Sequence, residues 1–304
     1  MNSQHELHAM SPAAQFAKLL SSGQIIQAPG APDSLTARLV EQAGFPAVYM
    51  TGFGATASRL GAPDIGLLTQ TEMTEHARNM TRAIQIPVIA DADTGYGGPS
   101  NLHRTIQEYR QAGVAAIHLE DQVAPKRCGQ RAGITLIDAV EAAARIGLAC
   151  RTRDDDSGLP PLQIIARTDA LPSYGLNEAA DRASRYRDAG ADLVFIDGVK
   201  TVEEVDAIAR RVDAPKVVSL VDGTPASTLT VQQLQQMGFQ VVLYAVTTLF
   251  AAAAATRLAL QALRDNGQAS EQPAMSYEAF CELVDLSKHE QFDEQAGGAP
   301  ASAR

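Results

Sequence analysis

One join recurs along this chain. In "EQAGFPAVYM", "RQAGVAAIHLE", "RDAGADLVFID" and "QQMGFQVVLY" a helix-like segment ends on glycine and runs straight into a short apolar stretch. Glycine after a helix permits the left-handed turn that stops it, and a brief β-branched run that follows reads as a buried strand. Eight such runs are present, at 24–28, 47–50, 87–91, 115–120, 162–167, 192–197, 216–220 and 240–244, with helix-like segments between them. Strictly alternating strands and helices specify an α/β architecture with a parallel sheet. Eight strands are many for an open doubly wound sheet, so a (β/α)8 TIM barrel is predicted.

The barrel is expected to occupy a single domain, residues 12–294, that includes a C-terminal helical extension. It lies between a mobile N-terminus, 1–11, and a small-residue tail, "QAGGAPASAR", at 295–304. The opening "MNSQHELHAMSP" lacks the apolar core of a signal peptide. The stretch "VVLYAVTTLFAAAAATRLALQAL" approaches membrane-span length, but it begins β-branched and contains Arg257. It reads as a buried strand followed by a packed helix, with no membrane partner. A net charge of −10, scattered basic residues and the absence of Trp argue against nucleic acid. The three cysteines, Cys128, Cys150 and Cys281, are odd in number and far apart, so neither a disulfide framework nor a zinc site is expected. A reducing, cytoplasmic setting follows. The acidic stretch "RTRDDDSGLPP" reads as a solvated loop.

In such a barrel, chemistry belongs where each strand ends. Those ends read "YMTGFGA", "DADTGYGG", "HLEDQ", "ARTDA", "FIDG", "SLVDG" and "YAVT", polar groups throughout and beside glycine in four of the seven. Asp91 and Asp93, on one strand, would point the same way. With Glu120 on the next strand they would repel unless a hard cation, best Mg²⁺, neutralised them. The alternative is that Asp91 caps a helix and Glu120 pairs with Arg167. The glycines of "TGYGG" and "MTGFGA" either cradle an anion or only make turns. His118 fits a core or supporting role, and Arg167 needs an acid or an anionic substrate. In "KRCGQ", Lys126 and Arg127 would favour a thiolate at Cys128, or all three are ordinary loop residues.

Together, "PGAPDSLTARLVEQAGF", "GAPDIGLLTQTEM", "VIADADTGYGG", "IHLEDQVAPKRCGQ" and "IIARTDA" resemble the isocitrate lyase / phosphoenolpyruvate mutase superfamily over residues 12–292. The closest branch is that of the 2-methylisocitrate and dimethylmalate lyases. The resemblance implies a TIM barrel that binds Mg²⁺, with Mn²⁺ as a substitute, and a small carboxylate substrate. Asp91, Asp93 and Glu120 would hold the metal, with Asp64 nearby. Tyr49, Thr51 and Gly52 would grip the oxo-acid carboxylate, Arg167 would bind from the other side, and His118 would support the reaction. Cys128, with Lys126 tuning its charge and Gly129 and Gln130 beside it, would protonate the departing carbanion of a carbon–carbon lyase.

Departures from that pattern fall on the leaving-group side. Gln130 stands where a histidine is usual, Asp197 where a glutamate is, Ser219 where an asparagine is, and Ala245 where a proline is. An oxaloacetate decarboxylase or hydrolase on the same metal site is the alternative activity, and a non-catalytic ligand-binding relative the third. The resemblance also implies a homotetramer or homodimer, with the amphipathic segment "SYEAFCELVDLSKHEQF" (276–292), read as one helix, exchanged between subunits.

Overall fold

A computed structural model describes residues 10–129, 133–155, 158–159, 161–268 and 274–297. Its strands are Ile26–Ala31 (β1), Val48–Met50 (β2), Val88–Asp91 (β3), Ala116–Glu120 (β4), Gln163–Thr168 (β5), Leu193–Ile196 (β6), Lys216–Leu220 (β7) and Val241–Tyr244 (β8). All pair in parallel, and β1 pairs with both β2 and β8, so the sheet closes into the predicted barrel. The four join glycines, Gly44, Gly113, Gly190 and Gly238, have φ of 82°, 82°, 103° and 82°, which a side chain would resist.

The first strand departs from its predicted bounds. It runs on through Pro29 and Gly30, residues that locally argue for a break, with Pro29 in register with Tyr244 of β8. A Cβ at Gly30 would lie 2.4 Å from the Ala245 carbonyl oxygen, so glycine is what lets the two strand ends meet.

Two apolar clusters hold the fold. One fills the layer between strands and helices; the other fills the barrel interior with Ile26, Ile89, Ile165, Phe195 and Val241 among its members. Phe16, fully buried in that inner cluster, comes from the helix Pro12–Ser21, which is capped by Ser11 and packs where the strands begin. The strand starts are therefore sealed, and polar groups collect at the opposite mouth.

The described residues fall into two compact units that divide between Leu249 and Phe250. In the second, the expected single helix over 276–292 is two helices, Tyr277–Leu283 and Leu286–Gln295, broken at Asp285 (φ 56°). The helix Thr247–Asn266 has no buried side chain, contrary to the packed helix expected of it. No helix among the described residues is long and apolar enough to cross a membrane.

Candidate active site

Asp91 ends β3 and Glu120 ends β4, and both are buried. Strand alternation is not what brings Asp93 to them. The strand stops at Asp91, and Asp93 lies beyond it with φ 44°, its N–H donating to Asp91 Oδ1 at 2.9 Å. Asp91 also caps a helix: its Oδ2 accepts from the N–H of Gly52, first residue of the helix Gly52–Leu60, at 3.1 Å. A Cβ at Gly52 would stand 2.4 Å from that oxygen, so only glycine admits the contact. Thr51, the N-cap, receives the Gly54 N–H at 3.4 Å. The Gly52 and Gly54 N–H groups are thus bonded within the protein in this structure.

Beside them, the Tyr49 hydroxyl meets His118 Nε2 at 2.9 Å, and His118 Nδ1 lies 3.7 Å from Asp91 Oδ1. Burial holds the imidazole down at about 4, neutral near pH 7. Burial opposes ionisation of Asp91, but the surrounding cations outweigh it and hold its carboxyl at about 2. His118, protonated at the low pH where Asp91 titrates, lowers it most, followed by Lys126, Arg167 and the hydrogen bond from the Asp93 N–H. Asp93 goes the other way, to about 6, through burial and the nearby Asp91 and Asp64.

The segment "KRCG" spans the mouth. Lys126 Nζ bonds to Asp64 Oδ1 at 2.6 Å and Asp93 Oδ1 at 2.8 Å, so its charge is engaged by two acids rather than reserved for tuning the thiol. Three residues on, a Cβ at Gly129 would lie 2.4 Å from Asp197 Oδ2, 2.7 Å from Arg167 Nη2 and 2.8 Å from Asp169 Oδ1. The backbone at Gly129 therefore rests on the Arg167 cluster, and half-buried Cys128 stands between the two groups. Gln130 lies outside the described residues.

Arg167, near the end of β5, is buried under three acids, with Nη2 2.6 Å from Asp197, 2.8 Å from Asp169 and 3.5 Å from Glu120. Against the pull of burial, those carboxylates keep the guanidinium charged. Ser219, buried in β7, and Tyr244, half-buried at the end of β8, complete this side, with Ala245 beyond.

The donors around Asp91 suit a hard cation. Both oxygens of Glu120 are buried without a hydrogen-bond partner, and burial raises its pKa, so a cation would relieve it. Among the described residues no three His, Cys, Asp or Glu side chains are already grouped to hold a metal by themselves. Water and substrate oxygens would have to complete such a site, as is usual for Mg²⁺.

Several working residues escaped the sequence reading. Asp121 gathers Thr168, Tyr186 and Arg182 through its Oδ2, at 2.7, 2.6 and 3.1 Å, and accepts the Asp169 N–H. Arg145 donates to the Thr94 and Gly97 carbonyls at 2.7 and 2.8 Å, so the "TGYGG" glycines serve a pinned turn. Gln122 and Asp169 belong to the same shell. Their only outward sign was the unbroken polar runs "EDQ" and "RTDA".

A barrel with acids at the ends of β3 and β4, an arginine at the end of β5 and a cysteine loop across them has relatives. The family model for phosphoenolpyruvate phosphomutase matches residues 16–264. A 2,3-dimethylmalate lyase from Eubacterium barkeri is 39% identical over 281 residues, 92% of this chain and 96% of the relative. A 2-methylisocitrate lyase from Halalkalibacterium halodurans is 40% identical over 255 residues, 84% of this chain and 83% of the relative. Among solved structures, oxaloacetate acetylhydrolase in complex with 3,3-difluorooxalacetate superposes with a TM-score of 0.89 at 35% identity, covering 95% and 98% of the two chains. Phosphonopyruvate hydrolase with oxalate and Mg²⁺ superposes at 0.84 and 29%, covering 94% and 99%. The chain belongs to the phosphoenolpyruvate mutase family. Within it, the chain is an enzyme of the carbon–carbon lyase kind.

Proposed function

We propose that this enzyme cleaves the C2–C3 bond of a small 2-hydroxy di- or tricarboxylate, 2-methylisocitrate or a 2,3-dialkylmalate being the nearest models, to a 2-oxo acid and a second carboxylate. The observation that carries the reading is the span of "KRCG": Lys126 is tied to Asp64 and Asp93, Gly129 rests on Arg167, and Cys128 stands between. On this reading the thiol would protonate the carbanion left by a bond broken between the two halves.

Asp91, Asp93 and Glu120, with Asp64 nearby, would hold Mg²⁺, as the hard oxygen donors favour. The bound ion supplies positive charge against the substrate's 2-oxygen and carboxylate, worth several kcal/mol as charge develops. Arg167 would orient the carboxylate from the other side, and Tyr49, its hydroxyl held by His118, would bind it as well. As the 2-hydroxyl proton leaves to a base, the C2–C3 bonding pair passes to C3 and the C2 oxygen becomes a carbonyl. Cys128 then gives its S–H proton to C3. A general acid of this kind contributes roughly 10²–10⁴-fold.

A second reading is supported by the likeness to oxaloacetate acetylhydrolase: hydrolysis or decarboxylation of oxaloacetate at the same site. Turnover with Mg²⁺ on 2-methylisocitrate, isocitrate, dimethylmalate, other 2-alkylmalates and oxaloacetate, followed by NMR, separates the two. Release of a 2-oxo acid plus a carboxylate from a hydroxy acid establishes the first. Consumption of oxaloacetate alone, to oxalate and acetate or to pyruvate, establishes the second. Chelation should abolish either activity and Mg²⁺ or Mn²⁺ restore it; activity untouched by chelator ends the metal reading.

We also infer that a second copy of the chain covers the helix Thr247–Asn266, whose Phe250, Leu258, Leu260 and Leu263 are exposed, giving a homodimer or homotetramer. Analytical ultracentrifugation of a monomer at micromolar concentration would end that reading.

A further inference from the structure

Cys128 lies on a loop, and a proton donor on a loop needs something to fix its height above the substrate. The base of the loop is fastened by backbone bonds, Val123 N–H to the Thr135 carbonyl at 2.8 Å and Ile137 N–H to the Asp121 carbonyl at 2.9 Å. These lie several residues from the thiol, and nearer to it Lys126 and Gly129 are held by the acids and by Arg167.

The side chain of Gln122 adds a further hold. Its Oε1 accepts the Arg127 N–H at 2.8 Å, and its Nε2 donates to the Arg127 carbonyl at 2.8 Å. One amide thus takes both backbone groups of the residue before Cys128, as a strand rung would. The second Nε2 proton goes to Asp169 Oδ2, also at 2.8 Å. The other oxygen of Asp169 holds Arg167, at 3.1 Å from Nε and 2.8 Å from Nη2. The amide orientation is dictated by these partners, since a flipped Gln122 would set its oxygen against a carbonyl and a carboxylate. Gln122 is itself buried, so its bonds are shielded from competing water.

We propose that Gln122 is a positioning residue that fixes Cys128 Sγ relative to the Arg167 anchor, through Arg127 on one side and Asp169 on the other. It touches no reacting atom. Its kinetic role rests on the reading of Cys128 as the proton donor; its control of the thiol's position does not.

The test uses the full chain carrying Gln122→Met, which keeps the bulk and removes all three bonds, and Gln122→Asn, which keeps the amide one methylene too short. Thiol alkylation by iodoacetamide is followed site by site with peptide mass spectrometry. The Cys128 rate should change about tenfold in Gln122→Met while Cys150 and Cys281 keep theirs, the size expected when an anchored group is released. On the substrate that the turnover screen identifies, kcat should fall about 100-fold with KM within threefold, as for an ångström-scale misplacement. Adding Gln122→Met to Cys128→Ser should cost little more than Cys128→Ser alone, because both act on one step. Unchanged alkylation at Cys128, or a full additive loss in the double variant, overturns the proposal. Should Gln122→Met fail to fold, Gln122→Asn is judged by the same readings. Alkylation needs no substrate, so altered thiol reactivity without turnover on any candidate would count against the lyase reading and leave the positioning role standing.

Discussion

At the ends of β3 and β4 the carboxylates Asp91, Asp93 and Glu120, with Asp64, face the ammonium of Lys126, and Arg167 reaches Glu120 only at 3.5 Å, whereas at the ends of β5 and β6 that guanidinium is held more closely by Asp169 and Asp197. The first half gathers more acids than its one ammonium pairs, and both Glu120 oxygens lack a hydrogen-bond partner, an arrangement that would suit a hard cation. The second half has its cation committed, and beyond it β7 and β8 present Ser219, Asp222 and Tyr244, with Asp222 bonded to Thr247 at 2.7 Å. The contrast teaches where chemistry and selectivity reside. By the resemblance read from the sequence, the expected departures, Gln130, Asp197, Ser219 and Ala245, all belong to the leaving-group side.

Each half can be tested against the other. Cys128→Ser, which touches the bridge between them, should cut turnover about 10³-fold, within the usual range for losing a general acid; a fall under tenfold would assign the proton to another group. Arg167→Met should lower stability by about 3 kcal/mol or more in urea unfolding, since it leaves three acids buried around no cation. A variant as stable as the parent would mean the acids are reached by water. Asp197→Asn frees one arm of Arg167, and oxalate binding measured by calorimetry with Mg²⁺ should tighten about tenfold, ~1.4 kcal/mol. Weaker binding would show instead that Asp197 holds Arg167 in place for the substrate. Thr201→Ala, remote from both halves, removes the capping box of the helix Val202–Arg211 and should cost about 1 kcal/mol of stability with turnover unchanged. A turnover loss there would extend the site beyond the mouth.

Most of the fold was legible because it is written locally. Glycine joins and β-branched runs report on neighbours in sequence, and every strand fell within or beside a predicted run. β1 strayed only where Pro29 pairs with β8 and Gly30 with β2, which local preference cannot see. The helix break at Asp285 was invisible for the converse reason: a left-handed aspartate carries no marker comparable to glycine. In the site, acids at strand ends stood out, but their contacts did not. Asp93 meets Asp91 through a turn rather than a strand, and Asp121, Gln122 and Asp169 interact across gaps of 47 residues or more that no periodicity encodes.

The helix Pro12–Ser21, with Phe16 set into the barrel interior, has a kinetic consequence. A vessel stoppered at its base has a single doorway, so whatever enters must leave by the route it came. If, in the proposed cleavage, the half protonated by Cys128 departs first, the 2-oxo acid departs last. The last product out competes directly with incoming substrate. Inhibition by the 2-oxo acid should therefore be competitive, and inhibition by the other product should not.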